Sequence, residues 1–215
     1  RGKIRKVLKV WLVINLLANI GYADIKVDKG VQQNTRVDRA QNGANIININ
    51  TPNSKGISVN DYSEFKTKDR VNGAERAEIE NWLEVMSDHK TDLIFSSNQG
   101  FYLNNTGFIN FDKVIFTTSK VFLDSNGDIQ PFNIRGGSIN VGREGINAEG
   151  LQYLALLSKQ ISIDGIISAK DGDLDLIAGD FDYNPNTREY INRASYNGDM
   201  LISASAYGSI YGQQI

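Results

Sequence analysis

Side chains able to do chemistry concentrate in one stretch: Asp171, Asp173 and Asp175, with Asp180 and Asp182 close behind. Successive side chains of a strand point to opposite sides, so alternate spacing puts the first three on one face. Polysaccharide hydrolysis or calcium-assisted elimination would use such a carboxylate row. The row stands alone, however, with no second acidic cluster and no obvious Arg and Lys pair of the kind a lyase needs. Exposed acids that keep a sheet soluble account for it better. The run Asp124-Ser125-Asn126-Gly127-Asp128 has only the outline of a calcium loop. The position that needs Gly carries Ile129, and the twelfth, where a bidentate Glu belongs, carries Arg135. An Asn-Gly turn between strands is the better reading. The single histidine, His89, sits between Asp88 and Lys90 and reads as a solvated loop residue. The sequence therefore predicts no catalytic residue, no metal site and no cofactor.

The elements that carry these residues are short. Thr91 to Lys120 holds four apolar clusters, Leu93-Ile94-Phe95, Phe101-Tyr102-Leu103, Phe108-Ile109 and Val114-Ile115-Phe116, separated by Asn- and Gly-rich punctuation. Strands of three or four residues divided by residues that tolerate positive φ describe a chain that turns repeatedly. No helix fits that spacing.

The C-terminal third is more regular. Ser138–Val141, Gln160–Ile163, Gly165–Ala169, Asp173–Gly179 and Met200–Ala204 are alternating or continuous β runs. They recur at intervals of roughly twenty residues, the mark of stacked solenoid coils. Ile161, Ile163, Leu174 and Leu176 are expected to face inward and Asp175 to face solvent. Gly150 to Leu157 could pass for a helix start, but the Ile-Ser-Ile-Asp-Gly that follows favours one long strand.

Upstream, Asn45 to Asn50 alternates so that Ile47 and Ile49 share a face, and Thr51 to Gly56 forms a turn around Pro52. Ile57 to Asn60 resumes the strand, which Tyr62 and Phe65 close. Ala74 to Met86 contains good helix formers, with Ile79, Trp82, Leu83 and Met86 on one helical face; a short helix is possible, although Leu83 to Met86 could equally enter a strand.

One domain is the natural size for 215 residues. Gly and Asn each make up about a tenth of the chain, and Pro is scarce, which favours many tight turns. There is no cysteine, consistent either with a reducing compartment or with export of an unbridged chain. Five cations (Arg1, Lys3, Arg5, Lys6, Lys9) and no acids precede Asp24. A short apolar middle follows, from Val10 to Ala18, and then the small residues Gly21 and Ala23. That order is the pattern of a secretory signal peptide over residues 1–23, cleaved after Ala23. A membrane-spanning helix would need about 20 apolar residues, so no membrane span is expected. A buried or interfacial amphipathic helix is the alternative for this segment. Without it, residues 24–215 carry a net charge of about −7, unsuited to nucleic acid. A start at Arg1 rather than Met carries the expectation that the sequence is a piece of a longer chain.

Three segments resemble the N-terminal secretion domain of two-partner secretion exoproteins, the filamentous haemagglutinin family. Asn48-Ile49-Asn50-Thr51-Pro52-Asn53-Ser54-Lys55-Gly56-Ile57-Ser58-Val59-Asn60-Asp61-Tyr62-Ser63-Glu64-Phe65 is similar to the family's N-I-x-x-P-x-x-x-G-x-S-x-N-x-Y-x-x-F element. Leu83-Glu84-Val85, Asp92-Leu93-Ile94, Gly107-Phe108-Ile109-Asn110 and Thr117-Thr118 resemble its core. Phe132 to Ile139 and Gly145 to Ala148 resemble later rungs. Two departures stand out: the family's N-P-N-G turn reads Ser97-Asn98-Gln99-Gly100 here, and Lys66 to Asn81 is short for a segment that elsewhere carries a further strand and turn.

The resemblance implies an all-β fold, a right-handed parallel β-helix with an N-terminal cap and extra-helical strands or a short helix. It implies a targeting module rather than an enzyme. Its partner would be an outer-membrane transporter with periplasmic domains, in a cell of Gram-negative type, and regions after Ile215 would meet a host or neighbouring cell. On this view Asn48, Pro52, Gly56, Ser58, Asn60, Tyr62, Phe65, Asn98, Gly100 and Asn110 serve recognition or the cap. The rival readings are a β-helix carbohydrate enzyme and a free-standing adhesin using Tyr207 and Tyr211.

Overall fold

The computed structural model describes residues 11–16, 25–42, 44–67, 76–193 and 200–215. The cap holds β1 (Trp11–Leu16), β2 (Ile25–Val27), β3 (Arg36–Arg39), β4 (Asn45–Asn48) and β5 (Ile57–Phe65). β2 lies antiparallel to β5, and β3 pairs with β4 as a hairpin. Val37, Ile47 and Ile49 lean from that hairpin onto the main core, so the expected Ile47 and Ile49 face is present.

Coils follow. They run through β6 (Ala77–Ile79), β7 (Leu83–Glu84), β8 (Thr91–Ser97), β9 (Gly100–Leu103), β10 (Thr106–Ile109) and β11 (Phe111–Thr117). An excursion holding β12 (Phe132–Ile134) leads to β13 (Ser138–Val141), β14 (Ile146–Asn147), β15 (Tyr153–Ser158), β16 (Gln160–Ile163) and the long β17 (Ile166–Ala178). The chain ends with β18 (Phe181–Tyr183), β19 (Tyr190–Asn192), β20 (Ile202–Ala204) and β21 (Ser209–Gln214).

Three parallel ladders enclose one interior. The first runs β5, β1, β8, β11, β15 and the second half of β17. The second runs β6, β9, β13, β16, β20. The third runs β7, β10, β14, the first half of β17, then β21. This is a parallel β-helix, as expected.

Its register explains the apolar alternation. Leu93, Val114, Leu154 and Leu174 occupy matching positions on successive coils and stack inward, as do Phe101, Ile139 and Ile161. Aromatic rings fill the interior next to the cap, with Phe65, Phe95, Phe101 and Phe116 meeting at centroid separations of 4.7–6.0 Å. Edge-on and offset ring pairs suit the charge distribution of aromatic faces. A second core lies outside the first ladder. Val13, Ile94, Ile115, Tyr153 and Ala155 pack there with Phe132, Phe181 and Tyr183 of the antiparallel sheet β12–β18–β19. The middle of the first ladder is consequently covered on both sides: every residue of β8 and of β15 is buried.

Several expectations need correction. No helix forms over residues 76–86: Ala77–Ile79 and Leu83–Glu84 are strands. The helical face dissolves because Ala77 and Ile79 turn inward in the second ladder while Trp82 lies half-exposed against Gly107 and Met86 stands in solvent. Residues 74 and 75 lie outside the described residues. Gly150 to Leu157 contributes a strand, as expected, but only from Tyr153, and Lys159 separates it from β16. Ile161, Ile163 and Leu174 are buried, whereas Leu176 is only partly so. Residues 1–10 and 17–23 of the expected leader fall outside the described residues, and Trp11–Leu16 forms β1, a strand within the first ladder.

Candidate recognition site on the N-terminal cap

The cap is tied together by amides. Asn60 sits at the start of the inward run of β5, wholly buried. Its Oδ1 accepts from the Thr35 hydroxyl at 2.7 Å and from the Asn50 backbone N–H at 2.8 Å. Its Nδ2 donates to the Ser58 hydroxyl at 2.9 Å and to the Val13 carbonyl at 3.3 Å. Ser58 in turn donates to the Asn50 carbonyl at 2.6 Å, and Asn50 donates through Nδ2 to the Val59 carbonyl at 2.6 Å. A buried amide with every donor and acceptor engaged fixes a corner; leaving its partners unsatisfied costs about 1–3 kcal/mol.

The neighbouring turn depends on Asn53. Its Oδ1 accepts from the Lys55 and Ile57 backbone N–H groups, and its Nδ2 donates to the Gly127 carbonyl at 3.1 Å. Gly56 adopts φ 80°, a left-handed conformation that closes the turn begun at Pro52. Lys55 pairs with Asp128 at 3.2 Å. The Asp124–Asp128 run is a hairpin turn, as expected: Leu123 bridges Ile129, and the Asp124 carboxylate accepts from the Asn126 and Asp128 N–H groups. Among the described residues, no group of three or more His, Cys, Asp or Glu side chains could hold a metal.

The ten expected site residues separate by exposure. Gly56, Ser58, Asn60, Tyr62, Phe65 and Gly100 are buried. Burial, and secondarily Asp61, pushes the Tyr62 hydroxyl far above its ordinary pKa. Pro52, Asn98 and Asn110 are exposed and Asn48 partly so. Asn48 donates to Asp38 on the cap hairpin at 2.8 Å, and Asn110 turns the chain at φ 64° while donating to the Val85 carbonyl at 3.0 Å. Asn98 occupies the turn between β8 and β9. The structure thus brings Ser58 and Asn60 into one cluster and leaves the exposed residues at separate corners. Sequence reasoning missed Thr35, Asn50 and Asn53, whose amide or hydroxyl type followed by a strand is the signal that could have found them.

The acidic row is different from its expected role. Asp173 and Asp175 do have a basic partner: Arg188, which reaches them at 2.7 Å and 3.2 Å. Asp175 does not simply face solvent, since it also accepts from the Tyr153 hydroxyl. Asp182 is clasped by Arg135 and Arg193, and the Arg135 hydrogen bond first, with Arg193 behind it, holds its carboxyl below the usual range. Asp180 pairs with Lys159. These carboxylates are neutralised within the fold rather than presented to a sugar. His89 is an exposed loop residue. Tyr207 and Tyr211 are exposed, each with a cation near its face: Arg143 at 5.2 Å and Lys170 at 6.0 Å.

A sequence model of the TPS secretion domain matches residues 69–215. The chain belongs to the TPS secretion domain family. The tRNA nuclease CdiA of Yersinia mollaretii is 26% identical over all of this chain, which spans 8% of that protein. The filamentous haemagglutinin of Bordetella pertussis is 24% identical over 86% of this chain and 6% of its own length. The crystal structure of a filamentous haemagglutinin secretion domain superposes with a TM-score of 0.76, covering 88% of this TPS domain and 76% of that chain at 22% identity. The fold is therefore shared, and the chain spans only a small part of the length of its curated relatives. Exoproteins of the TPS family are secreted by Gram-negative bacteria.

Proposed function

We propose that this TPS domain targets a large exoprotein, of the adhesin, haemagglutinin, haemolysin or contact-dependent toxin kind, to a cognate outer-membrane transporter, and then nucleates β-helix folding at the cell surface. The transporter's periplasmic domains meet the chain while it is still extended. The adhesive or toxic activity, and contact with a host or neighbouring cell, belong to regions after Ile215. Export begins with a leader over residues 1–23, removed after Ala23.

The observation that carries this reading, beside the family, is the burial of Asn60. In the folded cap its Oδ1 accepts from Thr35 and Asn50 and its Nδ2 donates to Ser58, bonds that do not involve the leader. A partner reading that segment must read it before folding, when backbone groups and alternate side chains are available for strand addition. Folding then proceeds from the cap, because coil contacts are mainly between neighbours.

The test replaces Asn48 and Asn60 by Ala, singly and together, with the cognate transporter co-expressed. Surface appearance is compared with the thermal midpoint of purified domain. Asn60→Ala should itself lower the midpoint by stripping buried hydrogen-bond partners, so Asn48→Ala carries the discrimination: its loss of secretion at unchanged midpoint supports recognition, parallel loss of both points to a structural corner, and normal secretion by the double variant refutes the reading. N-terminal sequencing of exported protein should give Asp24 first.

A further inference from the structure

Residues 121–130 form the hairpin by which the excursion between β11 and β12 folds back on the cap. Leu123 bridges Ile129, the Gln130 N–H donates to the Phe122 carbonyl at 2.9 Å, and Val121 and Ile129 join Ile57 of β5 in the second core. The tip closes on itself. The Asp124 N–H donates to the Asp128 carbonyl at 2.9 Å and the Gly127 N–H to the Asp124 carbonyl at 3.0 Å, with Gly127 at φ 79°. It then docks on the cap turn: Asn53 Nδ2 donates to the Gly127 carbonyl at 3.1 Å, and Lys55 pairs with Asp128 at 3.2 Å.

Docking demands glycine at position 127 for two reasons. Residues with a side chain rarely adopt that φ, and a Cβ there would stand 2.8 Å from Asn53 Nδ2. The residue before it is Asn126, exposed and with no side-chain hydrogen bond among the described residues. An Asn-Gly pair sets an amide carbon beside a backbone nitrogen that no Cβ shields. The chain holds four such pairs, and this is the one that lies wholly within the described residues. Its chemistry is intramolecular. The Gly127 nitrogen, on losing its proton, attacks Asn126 Cγ; the new C–N bond forms, the Cγ–Nδ2 bond breaks, and ammonia leaves with the proton. Water then opens the cyclic imide at either carbonyl, giving aspartate or isoaspartate. In the docked tip this path is closed. The Gly127 N–H is held by the Asp124 carbonyl, and the Asp124 carboxylate already accepts from the N–H groups of Asn126 and Asp128 on either side, so it would repel an anionic nitrogen between them.

We propose that Asn126 is a site of spontaneous conversion to isoaspartate, closed while the hairpin tip is docked on Asn53 and Lys55 and open whenever the two are apart. Isoaspartate routes the main chain through its own side-chain carbons and so adds a methylene to the tip. The tip then cannot keep both the Asp124–Asp128 closure and the Gly127 carbonyl against Asn53. The modification records time spent unfolded, and once formed it bars the hairpin from the cap. This goes beyond the targeting reading and does not depend on it, since no transporter enters the chemistry.

The test follows the full chain in mildly alkaline buffer, folded and in denaturant, by peptide mapping and mass spectrometry. Labelling with an isoaspartyl methyltransferase tells isoaspartate from aspartate. Conversion at Asn126 should run more than about 10-fold more slowly in the folded domain, because it must wait for the tip to open. Asn53→Ala and Lys55→Ala loosen the docking and should each speed conversion in the folded domain while leaving the rate in denaturant unchanged. Lys55→Ala removes only a half-exposed ion pair and is the variant that keeps the fold. Domain carrying isoaspartate, once refolded, should show a lowered thermal midpoint. Asn126→Asp, with the same charge on an unaltered backbone, should stay close to the parent. Equal rates in the folded and denatured chain overturn the proposal. So does an unchanged folded rate in both variants, or a parent-like midpoint for the isoaspartate form.

Discussion

The Tyr153 hydroxyl lies 2.5 Å from an Asp175 carboxylate oxygen and 2.6 Å from the Tyr183 hydroxyl. Tyr153 has one proton and an ionised carboxylate can only accept, so Tyr153 donates to Asp175 and Tyr183 donates to Tyr153. Arg188 covers the Tyr153 ring at 4.0 Å while bonding Asp173 and Asp175. Carboxylate hydrogen bonds outweigh burial and hold its guanidinium more firmly protonated than usual. Through this chain of contacts the outer sheet is fastened to the coil wall. Tyr183→Phe is expected to cost about 1–2 kcal/mol in denaturant unfolding, and Tyr153→Phe more, because it leaves the buried Tyr183 hydroxyl without its partner. The double variant should cost less than the sum of the two.

Asp175→Asn separates this network from a merely solvated acid. The Tyr153 hydrogen bond can persist to an amide oxygen, but the attraction to Arg188 is lost. With Asp175 a quarter exposed, solvent screening limits the expected cost to about 1 kcal/mol. An unchanged unfolding midpoint would return Asp175 to the status of a surface residue.

Alkaline pH should weaken the fold. Burial first, then the neighbouring tyrosine and Asp175, raises the Tyr153 hydroxyl well above its ordinary value; burial likewise raises Tyr183 and Tyr62. Unfolded tyrosine titrates near 10. Above that pH the unfolded state releases protons that the folded state retains, so stability is full below about pH 10 and falls as pH rises further. Denaturant midpoints followed from pH 9 to 11 should drop, and the double Phe variant should drop less.

Inside the coil, Leu174→Asp should cost several kcal/mol, since Leu174 is 1% exposed and its neighbour across the ladder is Leu154. Calorimetry of the purified domain measures it directly.

Gly100 has φ 102°, and a Cβ there would come within 1.9 Å of the Ser138 carbonyl oxygen on the next coil. Gly100→Ala is therefore expected to destabilise by about 2 kcal/mol or more, through both backbone strain and separation of the coils. A thermal midpoint within error of the parent would show that the corner can relax.

Local pattern made the coils legible. Leu93-Ile94-Phe95 and Val114-Ile115-Phe116 alternate between the two cores, as extended chains dry on both sides must, and the Asn48–Phe65 element lies where the cap was expected. The helical reading of 74–86 failed because good helix formers such as Ala77 and Glu78 are drawn into a ladder whose partner, β9, is remote in sequence. Local propensity cannot register such a neighbour. The acid–tyrosine–arginine network was hidden for the same reason: Tyr153 and Asp175 approach only once the coil has closed a full turn, and Arg188 arrives from the loop beyond β18.

The outer sheet also gives the domain a mechanical direction. Tension applied at Ile215 would peel β21 and β20 from their ladders one pairing at a time. Further on, β18 is clamped to β12, a strand that precedes β13 in the chain, and Arg135 bonds the Phe181 carbonyl and Asp182. By chain order, peeling the coil of β15 and β16 must first break that clamp. The cap is thus the last part reached: force entering from the C-terminal end meets the last coil and the β12–β18 pairing before it reaches the first coil.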